Sequence, residues 1–147
     1  MSTYPASTTT APPAVVVAAV GIGAHAFNHV TVVVQDVWRF IETPDAASMN
    51  PGTIYHPISA VLYVWLAVGV HSGRNRARIA ITVLLAGQAV GRYFIFFAYP
   101  TIEVRADLVS GYALSAVVLT LLWLPVSVRR HFADRPPADR AYPPTSW

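Results

Sequence analysis

The chain has 147 residues, of which 54% are apolar and only 12% charged, with a formal net charge of +3 and no cysteine. A water-soluble domain carries about 25% charged residues, so this composition cannot clothe a soluble globule, and apolar blocks this dense exclude a disordered chain. Disulfides, thiolate catalysis and cysteine-held metal or iron–sulfur sites are excluded too.

Residues 1–13 are rich in Ser, Thr and Pro and carry no basic residue, which fits a disordered tail and not a signal peptide. Crossing the hydrocarbon core takes about 20 residues, and four segments reach that length. The first runs from about Ala14 to Ile41, and the second from about Ile54 to His71, with Pro57 suited to its first turn and Gly73 to its C-terminal stop. The third covers about Ile79 to Tyr99, closed by Pro100. The fourth covers about Leu108 to Val128, with Asp107 as N-cap and Pro125 marking a kink or early exit. Residues 133–147 hold four prolines and read as a second disordered tail. The expected fold is all-α: a four-transmembrane-helix bundle over residues 14–132.

Arginine placement predicts orientation. The link between the second and third spans carries Arg74, Arg76 and Arg78 with no acid, and Arg129 and Arg130 follow the fourth. The two opposite links mix Arg39 with Glu42 and Asp45, and Arg105 with Glu103 and Asp107. The positive-inside rule then puts both termini in the cytoplasm of a bacterial plasma membrane. Anionic lipid accounts for the basic pI of about 9.6, and no nucleic-acid partner is needed.

Span one carries the unusual chemistry. Gly21, His25, Asn28, His29, Gln35, Asp36 and Arg39 fall within an arc of roughly 120° at 100° per residue. Polar groups in hydrocarbon must be satisfied internally, so this stripe is expected to face protein or trapped water. On span three, Gln88 and Arg92 share a face, and an intramembrane arginine costs at least about 2.5–3.5 kcal/mol unless it is partnered. We expect an Asp36–Arg92 ion pair, or a network that includes His29 and Gln88. The histidines have Ser59, Tyr63 and Ser115 as alternative partners.

His25 and His29 could both reach one metal, but no third ligand stands at their depth, so no metal is predicted. A haem would need histidines on two spans at matching depth. His56 and His71 sit near opposite interfaces and His25 and His29 nearer mid-bilayer, so no haem is predicted either. Gly87 and Gly91 form a GxxxG that permits close helix contact, with Ala19 and Gly23 of span one or in a dimer seam. Tyr93, Phe96, Phe97 and Tyr99, with Trp38 at the same level, form an aromatic belt that would also serve as a lipid or quinone groove.

Two local patterns carry a resemblance: Arg74-Asn75-Arg76-Ala77-Arg78 opening a span, and Leu122-Trp123-Leu124-Pro125 ahead of Arg129-Arg130. They resemble the small four-span membrane proteins of actinomycetes, which implies location and topology but no activity. No nucleotide loop, nucleophile elbow or paired catalytic carboxylates occur. The leading expectation is a non-enzymatic accessory or assembly subunit of a homo- or hetero-oligomeric membrane complex. The alternatives are a small transporter or proton-linked channel module using His25 and His29, and a lipid- or quinone-binding subunit of a redox complex.

Overall fold

A computed structural model describes residues 10–43 and 51–133 of the chain. Of the expected tails at 1–13 and 133–147, residues 1–9 and 134–147 lie outside the described residues, while Pro13 and Ala133 belong to helices. Helix α1 spans Pro13–Glu42, α2 Pro51–His71, α3 Asn75–Ala98, α4 Ile102–Trp123 and α5 Val126–Ala133. The first four are long and apolar enough to cross a membrane, which marks a multi-pass membrane protein.

The boundaries differ from the sequence expectation where capping decides them. Helix α2 begins before Ile54, so Pro57 lies inside it and not in its first turn. The absent Pro57 N–H only frees the Thr53 carbonyl, close enough to the helix start for the helix to survive. Helix α4 begins at Ile102, because Thr101 and not Asp107 is the N-cap; its hydroxyl accepts from Val104 N at 3.4 Å. Pro125 does end that helix, and α5 starts immediately after it.

The turn from α2 to α3 is the tightest. Gly73 has φ 72°, the left-handed conformation that closes a helix. Arg74 N donates to Gly69 O and Gly73 N to Val70 O, both at 2.9 Å, the pair of bonds of a Schellman stop. A Cβ on Gly69 would sit 2.7 Å from Ala77 Cβ, so its absence lets α3 start against α2.

Helix α1 packs on α2 and α4, and α3 packs on α2 and α4, leaving α1 and α3 on opposite corners. The expected close packing of Gly87 and Gly91 against span one is therefore corrected. Both glycines are exposed, with open space where a Cβ would lie.

The apolar core is one-sided. Val15, Ala18, Ile22, Leu66, Val70, Ile81, Leu85, Val118 and Leu122 are buried at the arginine-rich end, where α5 adds Val128 and Phe132. Among the described residues, none is buried beyond His29 on α1, before Ser59 on α2 or beyond Leu85 on α3. Leu108 is the buried exception on α4. The aromatic-rich end is consequently little buried, and polar contacts tie the helices together near mid-span.

The glycines make a direct comparison. Gly69→Ala should destabilise by about 1–3 kcal/mol through overpacking. Gly87→Ala should be neutral or stabilise by up to about 1 kcal/mol through helix propensity. Thermal unfolding of both variants in the same detergent measures the difference.

Candidate functional site

At the level where the apolar core ends, side chains from all four long helices meet. Arg92 of α3 donates from Nη1 to Ser115 Oγ at 3.1 Å and from Nη2 to Gln88 Oε1 at 3.3 Å. Gln88 Nε2 lies 3.1 Å from His29 Nε2 and donates to Tyr55 OH at 2.9 Å. His29 Nδ1 lies 2.8 Å from His56 Nδ1, and His25 Nε2 lies 3.3 Å from Ser115 Oγ. Tyr112 OH donates to Ala89 O at 2.7 Å, fastening α4 to α3.

Donor arithmetic gives these bonds a direction. An amide nitrogen only donates, so His29 Nε2 must accept from Gln88, and its proton sits on Nδ1. That proton goes to His56 Nδ1, which leaves the His56 proton on Nε2. Ser115 donates to Gly111 O at 2.8 Å, so His25 Nε2–H donates to Ser115. The bonds from Arg92 through Gln88 and His29 to His56 thus all point away from the guanidinium.

Two packing features hold the set in place. Tyr63 is fully buried, and its ring stacks on both His25 and His29, each at 5.4 Å and 23°. Its hydroxyl is buried and meets no hydrogen-bond partner among the described residues. The Arg92 guanidinium lies against Gly111, where an added Cβ would come within 2.9 Å of Cζ. Any larger residue there would displace it.

Of the expected site residues, His25, His29, Gln88 and Arg92 come together. Asn28 does not join them; it is exposed. The Asp36–Arg92 ion pair is corrected as well. Asp36 lies 3.9 Å from Arg39 on its own helix, about 10 Å along the axis beyond His29. Helical side chains lean toward their own N-terminus, which carries Arg92 back toward Gln88 and Ser115 and away from Asp36. Among the described residues no carboxylate pairs with Arg92.

The separation in depth expected between His56 and the span-one histidines is also overturned, since His56 and His29 are hydrogen-bonded. The early start of α2 sets His56 more than a turn inside the helix instead of at its edge. His71 is exposed at the far end of α2. Tyr112 and the hydrogen-bonding roles of Tyr55 and His56 were missed from sequence, where Tyr55 is expected only at the level of the aromatic belt. Ser115 was named as an alternative partner, and it is one.

In the expected aromatic groove, Tyr93, Phe97 and Phe96 form an edge-to-face series at 5.0 and 5.5 Å, with Phe96 under Arg105. Tyr99 and Trp38 are exposed and stand outside that series. Among the described residues no three of His, Asp and Glu gather as metal ligands. No family model, curated protein or solved structure matches the chain.

Two measurements check the site. Nitrogen-15 spectra of labelled histidine should show His29 protonated on Nδ1, and His25 and His56 on Nε2. Gly111→Ala should displace Arg92 and cost about 1–3 kcal/mol in thermal unfolding, whereas Gly91→Ala should not.

Proposed function

We propose that the chain is a non-enzymatic subunit of a bacterial plasma-membrane complex that binds a lipophilic molecule with an oxygen-acceptor head, of the quinone class. The supporting observation is the donor balance of the polar network. Once its internal bonds are counted, two donors on neighbouring residues of α2 stay unspent among the described residues: Tyr55 O–H, whose oxygen already accepts from Gln88, and His56 Nε2–H. Their rings meet at 5.2 Å and 70°. Tyr55 is 44% exposed, and His56, Gln88 and Arg92 are half-buried, so the donors stand at the open side of the bundle and not inside the sealed core.

Carbonyl oxygens are the natural complement of such donors, because a donor facing hydrocarbon without an acceptor loses free energy. The network behind them carries a fixed positive charge on Arg92 and no carboxylate among the described residues, which favours an electron-rich head over a cation. The aromatic-rich end supplies the apolar surroundings that an isoprenoid tail needs. The arginine-rich link and both termini face the cytoplasm in this reading, so the head is bound in the outer half of the bilayer. A proton-conducting use of His25 and His29 is less favoured, since the bonded route between them runs through Arg92.

Binding of a short-tailed benzoquinone or naphthoquinone to the protein in nanodiscs, followed by tryptophan quenching, tests the reading. Saturable binding is expected, weakened roughly tenfold by Tyr55→Phe or His56→Phe, the loss of one hydrogen bond. Absence of saturable binding, or affinity unchanged in both variants, would overturn it.

A further inference from the structure

The opposite end of the molecule holds a more deeply buried cation. Arg78, near the start of α3, is 7% exposed, and its Nε is buried without a hydrogen-bond partner among the described residues. Its guanidinium lies 3.6 Å from the ring centroid of Trp123 and 5.1 Å from that of Phe132. The arrangement is built by neighbouring bonds. Trp123 Nε1 donates to Thr82 Oγ1 at 3.0 Å, and Thr82 Oγ1 donates to Arg78 O at 2.9 Å, fixing the indole under the arginine. Helix α5 then brings Phe132 over the same group and buries Val128 beneath itself, leaving Arg129 and Arg130 exposed.

Aromatic faces attract a guanidinium but do not neutralise it. Among the described residues the charges at this end have the same sign: Arg129 on α5, the helix that brings Phe132 to Arg78, and Arg74 at the start of α3 are both exposed. The described acids, Asp36, Glu42, Glu103 and Asp107, all lie toward the other end of the helices. Among the described residues no carboxylate stands at this end to answer the guanidinium, and basic pockets between helices at the level where a transmembrane helix leaves the hydrocarbon suit lipid head groups. A phosphodiester offers planar oxygen pairs that match the guanidinium fork.

We infer that Arg78, seated on Trp123 and Phe132 and assisted by Arg129, binds the phosphodiester of an anionic phospholipid in the leaflet at the arginine-rich end. A net-negative head is selected over a zwitterionic one, because the site brings cations and no described carboxylate to answer a choline. The site is separate from the polar network at mid-span and does not depend on a quinone being bound there.

Native mass spectrometry of the full chain in a neutral detergent tests this, with phosphatidylglycerol and phosphatidylcholine offered at equal concentration. Phosphatidylglycerol should be retained preferentially, and Arg78→Gln and Arg129→Gln should each weaken its retention roughly tenfold, the loss of one charge-assisted hydrogen bond. Arg39→Gln removes the same charge at the opposite end and should leave retention unchanged. Arg129 is exposed, so its variant reports even if Arg78→Gln fails to fold. Equal retention of the two lipids, or equal losses in all three variants, would overturn the assignment. Stabilisation by inorganic phosphate that depends on Arg78, without selective phosphatidylglycerol retention, would overturn the lipid as its source.

Discussion

The hydrogen bonds of Arg92 are the constraint on which this bundle rests. In hydrocarbon an arginine has no water to turn to, so the protein must provide its acceptors. Here they come from Gln88 one turn away on the same helix and from Ser115 on α4. The contact with Gln88 commits its amide orientation, which commits the His29 tautomer, which in turn commits His56. Helices α1 and α3 each pack chiefly on α2 and α4, so this line of bonds joins them through the middle. Glycine at position 111 is the steric condition for the whole, because the guanidinium occupies the space of a side chain.

Apolar burial does the complementary work elsewhere. From the level of His25 and Leu85 toward the arginine-rich end, side chains interlock and α5 caps the assembly. Past the network few side chains are buried, and Trp38, Phe40, Tyr93, Phe94, Phe97 and Tyr99 are exposed. Hydrophobic driving force between helices is weak within a bilayer, so interdigitation at one end and hydrogen bonding at the middle have to suffice. Cation–aromatic contact repeats at both ends, with Arg78 on Trp123 and Arg105 on Phe96.

Much of this was legible in the sequence. Length and apolarity gave the four spans, and Gly73 and Pro125 marked real stops, because a left-handed turn and a missing N–H are local effects. His25, His29, Gln88 and Arg92 stood out because polar residues in an apolar run have few explanations. What could not be read was axial register between helices. A start for α2 only a few residues early moved His56 from the expected interface into contact with His29, and the lean of Arg92 toward its helix N-terminus separated it from Asp36. The 100° wheel placed Asp36 on the correct side of α1 but carries no information on where the partner helices end. The GxxxG of α3 misled because small residues permit close approach without requiring it.

The one-sided distribution of interlocked side chains has a mutational consequence. Substitutions toward the arginine-rich base disturb interlocked neighbours, whereas those on the aromatic rim meet few, so sequence change is tolerated unevenly along the same four helices. In the proposed reading, durability falls to one stretch of these helices and recognition to another.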